Sequence, residues 1–300
     1  MGNQDFNAKV RELMKQARAL PPAARRVVLE LLDEARKRIL ADLAGVNPSS
    51  FQAAQLRQLK ASIDAAFAQF RGQATAAINQ LQSRGFDLGV GMVEQPLASA
   101  GIPTPALGGL SRTTLGIAQG YTADLIQGLS ADAAAKVNGA IQRAFLGGQP
   151  MTEIVEQIGQ ALAGDKGFTG IFSQVGERAV MVAETEILRV HSIAGQARLE
   201  ETREHIPELK KQWRWVPAAR APRITHQMAS GQVREVNEAF EVGGEELMYP
   251  RDPAGSPGNT INCHCVLVPY FDAADLKPTS GQEKTLRDLG LQITLARHAA

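Results

Sequence analysis

From Leu56 to Leu81 the apolar residues of this chain return at steps of three and four: Leu56, Leu59, Ile63, Ala66, Phe70, Ala77 and Leu81. That period lines side chains along one side of an α-helix and scatters them over both faces of a strand. The stretch therefore predicts one long helix reaching about Ser83, or two halves hinged at Gly72. Its narrow stripe suits packing on one or two partners. The segment before it supplies one. "LPPAARRVVLELLDEARKRILADLAG" opens with Pro21 and Pro22, which suit a first helical turn, and closes on Gly45. Val28, Leu31, Leu32, Ala35, Ile39 and Leu43 share one face, and Ser49 or Ser50 offers a cap for the second helix. Residues 1–84 are expected to form a long N-terminal helical arm folded as an antiparallel hairpin, with a partner-docking arm as the alternative.

Residues 85–120 change character. They hold eight glycines and three prolines, with only Asp87, Glu94 and Arg112 charged. This composition predicts an extended Gly/Pro-rich linker lying along a surface. Residues 121–205 return to helical patterning. Ser130 reads as a cap, Gly147-Gly148 as a stop, and Pro150 with Thr152 as a restart ending at Gly164. A third helix is expected from Gln174 to His205, with Val175, Ala179, Val182, Val190, Ile193 and Ala197 on one face. Glu186 interrupts that face. A carboxylate buried there needs a cation, because unpaired burial is prohibitive. Arg223 is the first partner expected and Arg220 the second. The alternative is that Glu186 only edges the interface.

Residues 206–272 read as a small α+β module, followed by a tail at 273–300. Lys210, Lys211, Arg214, Arg220, Arg223 and Arg234 precede a block of Glu235, Glu238, Glu241, Glu245, Glu246 and Asp252, so the module carries opposed charges that complement each other. "KKQWRWVP" alternates as a strand, "RITHQMAS" fits a short helix ending at Gly231, and "TINCHCVLVPYF" is strand-like. The fold class is mainly α with a small C-terminal α+β module.

Both cysteines of the chain lie in that last stretch. On a strand, Cys263 and Cys265 share a face and His264 points the other way. A bridge between them would close a strained ring, and two cysteines make no disulfide framework. Structural zinc usually takes four protein ligands, with wider spacing between paired cysteines. The pair is therefore read as small buried side chains in a packed strand, with His226 and Asn262 bonding loop backbone. A three-ligand zinc site from His226, Cys263 and Cys265 is the alternative. Enzymatic readings have weaker footing. Glu184 and Glu186 diverge by roughly 200° on a helix and cannot share a substrate. A Cys263 or Cys265 nucleophile with His226 as base lacks evident oxyanion donors. Metal-assisted hydrolysis by His226, His264 and Asp252 is a further option, and no P-loop, dinucleotide fingerprint, HExxH or nucleophile elbow is present. The 32 basic and 31 acidic residues leave no whole-molecule field for DNA or an anionic membrane. No apolar run approaches a membrane span, and Lys9, Arg11, Glu12 and Lys15 interrupt any apolar leader.

An ordered series runs through the C-terminal half. The "AETEILRVHSIAGQ" helix with Glu186 leads to a Trp213- and Trp215-containing strand. An Arg-x-x-Arg-x-x-His segment (Arg220, Arg223, His226) follows, then Gly231, Phe240, "YPRDP" (Tyr249, Pro250, Asp252) and "INCHC" (Asn262, Cys263, Cys265). In that order the residues resemble the C-terminal domain of phage minor head, or head morphogenesis, proteins of the phage Mu F-like family, over about residues 121–270. Three positions depart from that pattern: Glu184 and His264 stand where the family has Arg, and Ala219 where it has Asp. The resemblance implies a non-enzymatic structural protein of a tailed phage or prophage. Such a protein is made in the host cytoplasm and carried in the virion head at the portal vertex. It implies the portal protein as partner, with scaffold or major capsid protein beside it. From the residues themselves no cofactor is expected, with zinc as the alternative, and no membrane. A virion-delivered metal-dependent or thiol enzyme is one alternative. A DNA-contacting internal head protein, using Lys210, Lys211, Arg214, Arg220 and Arg223, is another.

Overall fold

The helical periods are realised in a computed structural model that describes residues 2–46, 53–102, 109–161, 167–217 and 222–271. Ser49, Ser50, Gly164, Ala219, Arg220 and the tail at 273–300 lie outside the described residues. Helices α1 (Gly2–Arg18) and α2 (Leu20–Ala44) are separated by Ala19 alone, and Pro21 and Pro22 sit in the first turn of α2. Helix α3 (Ala53–Ser99) returns alongside both. Its partners follow from the pattern: Arg38 bonds Gln69 and Asp42 bonds Ser62 across the antiparallel α2–α3 pair. Helix α4 (Thr113–Gly147) runs antiparallel to α3, tied by Gln82 to Thr122 and Asn138 to Asp64. After the short α5 (Met151–Ile158), helix α6 (Gly170–Arg203) runs parallel to α3. Phe67 stacks on Phe172 with ring centroids 5.8 Å apart, and far along the same pair Arg198 meets Glu94 at 3.2 Å.

Three corrections to the sequence reading concern this bundle. Residues 85–99 are not a linker but the C-terminal part of α3, and 113–120 open α4. Two of the glycines there, Gly85 and Gly89, serve close approach. A Cβ on Gly89 would lie 2.2 Å from the His191 carbonyl oxygen and 2.9 Å from the Ala194 Cβ, so α3 touches α6 backbone to backbone. No hinge occurs at Gly72, which lies inside α3. Ser130 caps nothing: it lies within α4 and returns its hydroxyl to the Ile126 carbonyl, 2.8 Å away.

The C-terminal residues form the small antiparallel sheets expected of them. Strand β1 (Lys210–Arg214) lies between β2 (Val233–Glu235) and β5 (Val266–Tyr270), with Lys210 opposite Glu235 and Trp213 opposite Leu267. Helix α7 (Ile224–Ala229) precedes β2. A hairpin of β3 (Phe240–Val242) and β4 (Glu245–Leu247) turns on Gly243-Gly244, both at positive φ. That is the two-residue turn whose twist suits a hairpin, and only residues tolerant of positive φ serve it well. The one-turn α8 (Pro257–Thr260) leads to β5. "TINCHCVLVPYF" is thus strand only from Val266; Cys263 and Cys265 lie in the extended lead-in. Of the two tryptophans, Trp213 is the buried strand residue, and Trp215 lies just beyond β1.

Two main cores lie along the α3–α6 pair. One collects Leu32, Ile39, Ile63, Phe70, Val137 and Phe172 from the helices. The other joins Phe6, Val10 and Leu13 of α1 and Met92, Val93 and Leu97 of α3 to Trp213, Phe240 and Leu267 of the module. The N-terminal arm is therefore helical as expected, but it is not detached from residues 206–272. The Phe6 ring meets Phe271 edge-on at 6.0 Å.

The backbone contact at Gly89 gives a direct test. Gly89→Ala is expected to lower stability in chemical denaturation by about 2 kcal/mol, because a backbone oxygen must move. Gly116→Ala, on an exposed turn of α4 with no neighbour near the added methyl, is expected to raise it by about 0.5–1 kcal/mol. Equal effects would show that Gly89 is not a contact glycine.

Candidate functional site

The module is fastened to α6 by a side chain from the turn after β4. Arg251 is fully buried with φ +67°, a conformation a non-glycine residue adopts only when its surroundings hold it there. Its guanidinium donates to the carbonyls of Cys263 at 2.6 Å and Cys265 at 2.9 Å, and to the Ser192 hydroxyl of α6 at 2.6 Å. The next residue fixes the same turn: the Asp252 carboxylate accepts the backbone N–H groups of Met248 and Ala254. Tyr249 and Pro250 complete it. Burial, with Asp252 and Glu200 adding to it, pushes the Tyr249 hydroxyl up to about 12, against Arg189.

Glu186 is buried, as its place in the apolar stripe predicts. Its partner is different from the one expected. Arg189, one turn along α6, contacts both carboxylate oxygens at 2.7 Å, and its Nε donates to the Arg251 backbone carbonyl. Arg223 instead donates to the Ile261 carbonyl at 2.6 Å. A partner three residues away on the same helix needs no precise docking of a second domain, and this is why it prevails. Burial raises the Glu186 pKa, while Arg189 and then Arg251 oppose that rise. Two departures from the family pattern meet close by: His264 Nε2 lies 3.9 Å from the Glu184 carboxylate. Asn262, at φ +55°, donates its backbone N–H to Thr185 of α6. His191, beneath Arg251, is pushed down to about 3 by burial and by that guanidinium, so it stays neutral.

The cysteine cluster sits directly under this network. His226 of α7 presents Nδ1 to both sulfurs, 3.5 Å from Cys263 Sγ and 3.5 Å from Cys265 Sγ. All three residues are buried, and their ligand-type atoms lie within 4.8 Å of one another. By placement they could hold a metal ion. The other ring nitrogen, Nε2, faces Asn259 Oδ1 at 3.3 Å, while the Asn259 amide nitrogen donates to the Val242 carbonyl. Trp213 stands edge-on to His226, and Phe240 stands edge-on to Trp213. The two thiols are linked. Burial raises the Cys263 pKa, but its hydrogen bond with Cys265, then His226 and Arg251, outweigh burial and bring it well below the usual thiol value. The same hydrogen bond between the two free thiols, then burial, raises the Cys265 pKa.

Lys211 closes the other side. It is fully buried on β1 and donates to the Met248 carbonyl at 2.7 Å and to Gln196 of α6, with Phe240 5.1 Å from its ammonium. Gly231 follows α7 at φ +93°, and its N–H donates to the Trp213 carbonyl. Arg251, Asn259, Ser192 and Arg189 were not foreseen from sequence. Arg251 stands in the middle of "YPRDP", and its presence among turn residues was the available signal. A groove of about 720 Å³ runs between α4 and the 253–261 loop, with Glu186 and Arg189 of α6 in its lining and Ile117 and Tyr121 exposed on its rim.

Residues 135–268 match the family model "Phage Mu protein F like protein", and this segment is a Mu F-like domain. The Bacillus subtilis (strain 168) protein YqbB is 39% identical over 101 residues, 32% of this chain and 32% of that protein. The NAD(+)--arginine ADP-ribosyltransferase EFV of Enterococcus faecalis (strain ATCC 700802 / V583) is 30% identical over 96 residues, 32% of this chain and 19% of that protein. The chain thus covers a third or less of these relatives' lengths. No solved structure matches it. None of the described helices is long and apolar enough to cross a membrane.

Two outcomes follow from the buried cations. Arg251→Leu is expected to cost about 3 kcal/mol in denaturant unfolding, since two carbonyls lose their donor. A loss below about 1 kcal/mol would show that the turn holds without it. Burial lowers the Lys211 pKa from 10.5 to about 8, with Glu200, Asp252 and Glu238 opposing. Between about pH 8 and 10.5 the unfolded chain therefore binds the proton more tightly, and stability rises with pH across that window. Lys211→Met is expected to flatten this rise by on the order of 2 kcal/mol.

Proposed function

We propose that this chain, whose residues 135–268 are a Mu F-like domain, is a minor head protein of a tailed phage or prophage, incorporated inside the procapsid at the portal vertex. The observation that carries this reading is the family match over the part of the fold that Arg251 pins together. The rest of the site supports a structural role. Its polar groups are turned inward onto carbonyls, amides and one another, and the sulfurs have almost no solvent exposure. Portal protein is the proposed partner, with scaffold or major capsid protein adjacent.

The relative that is an arginine ADP-ribosyltransferase does not move the proposal toward enzymology. The aligned part is 19% of that protein, as fits a domain shared between chains that differ elsewhere. In this chain Glu186 is buried in an ion pair with Arg189, while Glu184 faces His264, so the two carboxylates do not converge on one space.

A tagged copy expressed during lytic growth of a phage carrying this gene tests the reading. Immunoblots are expected to find it in purified procapsids, and to recover it with portal protein after mild dissociation. Absence from procapsids at every stage would overturn the assignment. Incubation with NAD⁺ and arginine-rich acceptors is expected to transfer no ADP-ribose.

A further inference from the structure

We infer that His226, Cys263 and Cys265 form a structural zinc site that ties α7 to the lead-in of β5. Three independent features converge on it. The first is spacing. Zinc bonds of about 2.3 Å to sulfur and about 2.0–2.1 Å to nitrogen, at tetrahedral angles, place nitrogen and sulfur about 3.5–3.6 Å apart. Nδ1 stands 3.5 Å from each sulfur.

The second is the tautomer, which is set without reference to the sulfurs. Because the Asn259 amide nitrogen donates to the Val242 carbonyl, Oδ1 is the atom turned to His226. Nε2 therefore carries the hydrogen and Nδ1 presents its lone pair to the sulfurs. An outer carbonyl-type acceptor fixing the far nitrogen is the arrangement that orients metal-binding imidazoles. One lone pair can accept from one S–H donor. Two sulfurs placed equally about it fit a single cation shared by all three atoms.

The third is rigidity. Arg251 holds the carbonyls of both cysteines and is itself anchored to Ser192 of α6, so the backbone that carries the two sulfurs is fixed by a buried side chain. His226, Cys263 and Cys265 are each only 2 % exposed, which closes the fourth zinc position to substrate and leaves it to a water molecule, so the site serves structure. Binding displaces the thiol protons to solvent, leaving both sulfurs as thiolates and the imidazole neutral.

The test uses the full untagged chain, purified under reducing conditions with no zinc added. Elemental analysis is expected to find about one zinc per chain, with release on titration of the thiols by a mercurial, read with a colorimetric zinc indicator. Cobalt(II) exchanged into the protein is expected to show a thiolate-to-cobalt charge-transfer band and tetrahedral ligand-field bands. The double variant Cys263→Ser/Cys265→Ser is expected to lose zinc at least tenfold. Should that variant fail to fold, Asn259→Leu leaves every ligand in place and is expected to weaken zinc binding about 10–100-fold. Protein isolated with less than about a tenth of an equivalent of zinc, showing no charge-transfer band with cobalt(II), would overturn the site. This result is independent of the head-protein assignment, which the procapsid experiment decides separately.

Discussion

A guanidinium taken wholly out of water is the constraint around which the C-terminal half is arranged. Burial lowers the Arg251 pKa, and the nearby cysteine sulfurs push it back. The desolvation cost of such a cation is several kcal/mol, so its neighbours must supply acceptors in fixed positions. They do so from two directions. Carbonyls of Cys263 and Cys265 come from the strand lead-in, and the Ser192 hydroxyl comes from α6. Neither side can shift without leaving the charge short of partners. The docking of module to helix, the placement of the sulfurs and the positive φ at Arg251 are thus one arrangement.

That arrangement also explains what could be read from the sequence and what could not. The helical half was legible because a period of 3.6 residues survives in one dimension: Leu59, Ile63, Phe67 and Phe70 must share a side whatever they pack against. The small antiparallel sheets were legible in "KKQWRWV" and "VLVPY" for the corresponding reason. Glycines at 85 and 89 misled, because a glycine chosen for a neighbour's backbone has the same composition signal as one chosen for flexibility. The partner of Glu186 was sought across the interface, although an arginine three residues along the helix was already in reach. The convergence of His226 with the cysteines was foreseen, with packing and a three-ligand zinc site as its two readings, and the case for the second goes beyond spacing. It turns on the orientation of Asn259, which no spacing encodes.

A structural role and a buried metal are compatible demands on this module. Its strands are three to five residues long, too short to carry a large core by themselves. A small unit of this kind gains from cross-links that do not depend on area, whether a buried charge network or a metal. The Phe6, Val10 and Leu13 face of α1 adds apolar cover from the opposite end of the sequence.

The length of α3 has a mechanical meaning. Its 47 residues span about 70 Å, and α6 lies along much of that distance in direct backbone contact at Gly89. Two parallel helices in such contact behave as a laminated beam, far stiffer against bending than either helix alone. The core at one end and the module at the other are fixed to the same beam. A displacement imposed on one end therefore arrives at the other as a rigid tilt, with little of the motion absorbed between.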